Sequence, residues 1–209
     1  MARSFFFDTI TLAAPKEKIY RRLGYRKGTT RLKPHEAEET DHAIDDALSL
    51  IRLAGVAVRL AIDREKDTEI KLANGETLAS RSLAGLLRHS DEVMLMGATA
   101  GAAIMEEIKK DTERGRMTRA VVLDAAASEV VDLALDWMMA YLEGKLRREN
   151  RRLTKRRFSA GYGDFPLQNQ EWIYRTLGLD QLGVRLTEAC LLVPEKSVTA
   201  LAGIEPIKA

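Results

Sequence analysis

The hydrophobic pattern along the chain changes period several times, and each change predicts an element. "SFFFDTITL" alternates weakly and predicts a short strand. Pro15 then opens "PKEKIYRRLGY", a short helix with Pro in its first turn and Gly24 at its end. "KPHEAEETDHAIDDALSLIRLA" spaces Ala43, Ala47, Leu50 and Ile51 for one helical face, with acids crowding the N-terminal half where the helix dipole favours them. In "GVAVRLAIDRE" the period drops to two through Val56, Val58, Leu60 and Ile62, which predicts a strand. "TEIKLANGETL" carries a hairpin signal at Asn74-Gly75. "SRSLAGLLRHS" predicts a short helix. "EVMLMGATAGAAIMEEIKKDTERG" predicts a buried strand, a small-residue turn and a helix stopped by Gly115.

The longest helical stretch is "MTRAVVLDAAASEVVDLALDWMMAYLEGKLRREN". It is apolar around most of its circumference, so it is expected to lie centrally. Ser128, Glu129, Asp132 and Asp136 form its one polar stripe, at i, i+3 and i+4 spacing. After it come a helix in "LQNQEWIYRTLG" and two closing strands, "GVRLTEACLLVP" and "SVTALAGIEP", joined around Pro194-Glu195-Lys196. Helices and strands in mixed order imply an α+β fold: one domain over 1–209, with a twisted, largely antiparallel sheet flanked by helices. Residues 1–34 form a lead-in and 35–204 the core.

Composition adds little that changes this picture. The 209 residues are 45% hydrophobic and 31% charged, with a formal net charge of +2, as in a soluble globular domain. A single cysteine, Cys190, excludes an internal disulfide framework and fits a reducing, cytoplasmic setting. Its apolar surroundings predict a core strand residue rather than a nucleophile. No apolar run reaches membrane-spanning length. His35, His42 and His89 lie in no metal-ligand spacing, so no metal site is expected. "GATAGA" (97–102) sits where a phosphate cradle would, but lacks the full glycine or lysine pattern; its small residues suit close packing on the sheet. Lys145, Arg147, Arg148, Arg151, Arg152, Lys155, Arg156 and Arg157 form a basic run against one acid, Glu149. A solvated helix end, a dock for an acidic protein and a nucleic-acid surface are the readings it admits. The third is the weakest, because only Phe158 supplies an aromatic ring.

The segment after that run, "RRFSAGYGDFPLQ" (156–168), combines a guanidinium, a bend without side chains and a tyrosine. Together with "VRLTEACLLVPEKSVTALAGI" it resembles the S-adenosylmethionine-binding activation domain of cobalamin-dependent methionine synthase, in its short stand-alone form. The family's R-x-x-x-G-Y motif matches Arg157, Gly161 and Tyr162. Its L-T-E segment resembles Leu186-Thr187-Glu188-Ala189, continuing through Pro194 to Ser197-Val198-Thr199. "VVLDAAASEVVD" is similar to the helix preceding the motif and puts Glu129 on the family's glutamate position; "VMLMGATAG" resembles the strand and turn before it. The likeness spans roughly residues 15 to 204. It departs at Gly24, where multidomain members carry an aspartate, at Gly163-Asp164-Phe165-Pro166, and after Ile204, where their tyrosine-bearing tail finds no match.

The resemblance implies a module that binds S-adenosylmethionine through Arg157, Ser159, Ala160, Gly161, Tyr162 and Glu129. It implies no metal and no catalytic residue of the domain's own. Cobalamin would reside only on a partner, a corrinoid-binding methionine synthase or related methyltransferase, with a flavodoxin-type protein as electron donor. In that reading Arg157 forks onto the ligand's carboxylate, the glycines let backbone approach it, Tyr162 offers a ring face and Glu129 meets the ammonium. The alternative is a dock for a corrinoid protein that binds no methyl donor.

Overall fold

A computed structural model describes residues 3–66 and 69–207. In chain order the elements are β1 (Arg3–Phe7), α1 (Lys16–Arg22), α2 (Pro34–Leu50), β2 (Ala54–Lys66), β3 (Glu69–Leu72), β4 (Thr77–Ala79), α3 (Arg81–Leu86) and β5 (Glu92–Thr99). There follow α4 (Ala103–Glu113), α5 (Met117–Leu146), β6 (Arg151–Leu153), α6 (Gln170–Leu177), β7 (Arg185–Leu186), β8 (Leu192–Val193) and β9 (Ser197–Pro206). This is a single α+β domain, and every strand pairing described is antiparallel, as the pattern predicted.

The sheet runs β4-β3-β2-β5-β9-β6, with β1 sharing the outer edge of β2 with β3. Period-two alternation sorts its side chains into two cores. Met94, Met96 and Ala98 of β5, with Ala200, Ala202 and Ile204 of β9, face α1, α2, α4 and α5. Val93 and Leu95 of β5, with Leu201 of β9, face Leu83 of α3 and Trp172, Ile173 and Leu177 of α6. The helices therefore flank the sheet on both faces. Phe7 of β1, Ile10 and Ile19 of α1 belong to the first core, so the N-terminal segment packs into the same body as the rest.

Helix α5 is central because almost no face of it could be left in water. Thirteen of its 30 residues are buried, from Ala120 to Leu146. Its alanines let α2 and α4 approach closely, and Gly55 of β2 leaves room for the Met138 sulfur: a Cβ there would stand 2.7 Å from it. Gly97, in the small-residue stretch, acts in the same way. A Cβ on Gly97 would fall 2.6 Å from Leu179, just beyond α6.

The end of the chain departs from expectation. "GVRLTEACLLVP" is not one strand: only 185–186 and 192–193 pair, as a small separate hairpin. The Cys190 N–H bonds back to the Thr187 carbonyl, and Cys190 has φ of 60°. Cys190 is thus a half-buried turn residue, not a core strand residue. The basic run is not a plain helix end either. Asn150 adopts a left-handed conformation that stops the helix, and Arg151–Leu153 turns back as edge strand β6. Arg151 pairs with Asp91 and Glu92, Arg152 with Glu205, Arg147 with Glu143 and Arg157 with Asp136, so much of the run is neutralised within the domain.

From Thr154 onward the chain follows β9 without forming a regular strand. Phe158 and Leu201 exchange both backbone hydrogen bonds, each 2.8 Å, and the Thr154 N–H bonds Gly203 at 2.8 Å. Gly161 and Gly163 then take φ of 88° and 55°, which a side chain would resist. Beyond them Asp164 reaches across to α3. It accepts hydrogen bonds from the Ser80 hydroxyl (2.7 Å) and the Arg81 N–H (2.7 Å), and weaker ones from Ser82. The Ser80 hydroxyl itself caps α3 by accepting from the Leu83 N–H.

Two outcomes follow from this packing. A Cβ on Gly203 would lie 2.1 Å from the Ser90 hydroxyl, 2.8 Å from Leu87 and 2.9 Å from Thr154. Gly203→Ala is expected to lose about 1–3 kcal/mol of stability in denaturant titrations, the ordinary cost of overpacking. The bonds from Ser80, then Ser82, hold the Asp164 carboxyl at about 2, below its ordinary 3.8. A depressed folded pKa contributes stability that is complete above the unfolded value and fades as pH falls through the folded one. Asp164→Ala should therefore melt below wild type at pH 7, with the gap closing between about pH 4 and about pH 2; a gap unchanged at pH 2 would refute this role.

Candidate functional site

Three segments close around a cavity of about 870 Å³. One wall is α5, through Asp132 and Leu135. The second is the segment from Arg156 to Tyr162. The third comprises the β7–β8 turn at Cys190 and Leu191, Glu195 and the start of β9 from Ser197 to Thr199, with Leu167 and Gln170 beneath them. Each wall follows from a local feature already described: the polar stripe of an otherwise buried helix, the loop stapled to β9, and the left-handed turn at Cys190. The volume lies within the range of small-molecule sites, and most of the lining is apolar with a few polar groups.

Those polar groups are specific. Arg157 lies alongside α5. Its Nη1 pairs with the Asp136 carboxylate and lies 4.0 Å from the Met139 sulfur, and its Nη2 is 3.5 Å from the backbone carbonyl of Asp132. The Ser159 hydroxyl donates to the Thr199 carbonyl at 2.7 Å. The Thr199 hydroxyl donates to Gln170 Oε1 at 2.9 Å. Gln170 is 5% exposed, and its Nε2 finds no hydrogen-bond partner. A buried amide with an unused donor costs about 1–3 kcal/mol, and in this fold it borders the cavity. Tyr162 is 68% exposed at the mouth.

The residues expected from the sequence are therefore gathered only in part. Arg157, Ser159, Ala160 and Tyr162 line the cavity together. Gly161 does not reach the wall: its N–H bonds to the Phe165 carbonyl at 2.8 Å, and a Cβ on it would touch Leu167 at 3.4 Å. Its service is to the turn. Glu129 is also elsewhere. Its carboxylate pairs with Arg22 of α1 at 3.3 Å, and it is not part of the cavity wall. Asp132, one turn further along the same stripe, takes the place on the wall. Of the other wall residues, Gln170 carried no signal of its own in the sequence, Thr199 entered only through the segment that resembles the family, and Cys190 only as an expected core strand residue. The i+3 step from Glu129 was the one signal for Asp132, and Gln170 looked like any helix-start polar residue.

A second cavity, about 880 Å³, lies between α2 and the start of α5, lined by His35, Glu39, His42 and Arg119 among others. It shares no residue with the Arg156–Tyr162 wall. Its two arginines are already bound, Arg119 by Asp46, Glu107 and Asp111 and Arg116 by Asp111. No helix among the described residues is long and apolar enough to cross a membrane.

No protein-family model matches the sequence, and no curated protein is detectably similar to it. The structure is similar to a solved one described as "Crystal Structure of the MetH Reactivation Domain bound to AdoHcy". The likeness has a TM-score of 0.68 and covers 100% of this chain and 80% of that one, at 13% sequence identity. The chain thus has the fold of the MetH reactivation domain.

Proposed function

We propose that this domain binds S-adenosylmethionine, or its demethylated form S-adenosylhomocysteine, in the cavity between α5, the Arg156–Tyr162 segment and β9. The observation that carries the reading is the cavity wall itself. It sets an arginine, a stapled R-x-x-x-G-Y turn and an exposed tyrosine around 870 Å³, in the fold of a domain that binds AdoHcy.

The residues present suit such a ligand. Arg157 has five N–H groups, of which Nη1 serves Asp136 and Nη2 makes one long contact; the remainder can hold a carboxylate in the planar fork that lysine lacks. Tyr162 offers a ring face for a sulfonium or an adenine. Ser159, fixed by Thr199, holds the wall in place. S-adenosylmethionine, when bound, would supply an activated methyl group. The domain's residues position it and shield it.

On this reading the domain is a reactivation module, and the methyl acceptor is a cobalamin carried by a separate corrinoid-binding methyltransferase, with a flavodoxin-type protein as the electron source. A second reading is favoured by one contact. Asp136 already supplies a carboxylate to Arg157, as it would in a domain that docks on a corrinoid protein without binding the methyl donor.

Calorimetry separates the two. Wild type is expected to bind S-adenosylhomocysteine, and Arg157→Ala to bind it at least about tenfold more weakly, since a charge-assisted bond contributes about 1.5–3 kcal/mol. No heat with either ligand on wild type would leave the docking reading standing alone.

A further inference from the structure

We propose that Asp132, and not Glu129, receives the α-ammonium group of the ligand. The inference rests on the S-adenosyl reading of the cavity and assigns a binding residue within it. In an α-amino acid, carboxylate and ammonium are carried by one carbon. Their receptors must therefore sit side by side. Arg157 Nη2 is 3.5 Å from the backbone carbonyl of Asp132, so the two residues are neighbours at the wall.

Four other charged groups belong to the cavity or its surroundings, and each is less suited. Glu129 is occupied by Arg22 at 3.3 Å and lies off the wall. Asp136 is occupied by Arg157 itself. Glu195 borders the cavity but is exposed, so water weakens any pairing it makes. Arg156 carries the wrong sign. The Asp132 carboxylate is half-buried and has no hydrogen-bond or ion-pair partner among the described residues. A half-buried acidic residue on the cavity wall, next to Arg157 through its backbone and with its charge unpaired among the described residues, is a receptor for a cation.

The test is calorimetry on the whole chain with two probes. S-adenosylhomocysteine carries the amino-acid group; 5′-methylthioadenosine lacks it. Asp132→Asn, which keeps the shape and removes the charge, should weaken S-adenosylhomocysteine binding by about tenfold or more. It should leave 5′-methylthioadenosine within about twofold, and Glu129→Gln should leave both ligands within about twofold. Unchanged S-adenosylhomocysteine binding by Asp132→Asn overturns the assignment while the S-adenosyl reading stands. Equal losses on both probes also overturn it, because they mark a residue that shapes the cavity rather than one that meets the ammonium. A wild-type chain that binds neither probe removes the S-adenosyl reading, and this assignment with it.

Discussion

The two hydrogen bonds exchanged by Phe158 and Leu201 are the contact on which the rest of the site depends. Residues 154–166 have almost no regular structure of their own, and a free loop of that length would sample many shapes. Here it is tied at both ends and in the middle. Thr154 bonds Gly203, Phe158 bonds Leu201, and Asp164 caps a helix on the same face of the sheet. The Phe158 ring lies 6.2 Å from Phe165, which is 1% exposed and fills the underside of the turn. Arg157 and Ser159, on either side of the anchor, are therefore presented from a rigid strand although they belong to a loop. A binding site needs that, because the ordering cost is met during folding and not at the moment of binding.

The same anchor explains which motif residues meet the cavity. A residue flanking a backbone pair in an extended segment points to the opposite face, as Arg157 and Ser159 do relative to Phe158. Phe158 faces the second core and its neighbours face α5. Gly161 lies past this register, in the turn, where its positive φ matters more than its reach. The R-x-x-x-G-Y spacing thus holds one arginine on the wall, one glycine in the bend and one tyrosine at the mouth.

Much of the fold was legible because burial writes itself as period. Val56, Val58 and Leu60 of β2 fill one face of the sheet, and α5 showed its central place by confining its polar residues to one narrow stripe. β6 was not legible. "RRL" is too short and too basic to read as a strand, and it forms one because β9 offers it an edge and Glu205, Asp91 and Glu92 pair its arginines. Cys190 misled because an apolar neighbourhood does not reveal a left-handed turn. The site was half legible for a similar reason. The stripe on α5 contains Glu129 and Asp132 at equivalent phases, and what separates them is Arg22, more than a hundred residues away. Only the tertiary fold brings that arginine to one carboxylate and leaves the other alone.

The internal ion pairs also decide what the basic run can do. Exposed pairs contribute little to stability, about 0–1 kcal/mol each. Their larger effect is on availability. Arg151 and Arg152 are engaged along β6, where charge on an edge strand discourages pairing with other chains. Arg157 differs in one respect. Its partner Asp136 is 51% exposed, so water and salt weaken the pair, while Arg157 itself is 26% exposed and borders an apolar cavity. On the proposed reading a carboxylate entering from the cavity side meets the guanidinium in lower dielectric than Asp136 does, and shares it through the N–H groups that Asp136 leaves free. The contact with Asp136 therefore also keeps a charged side chain oriented at the edge of an apolar cavity.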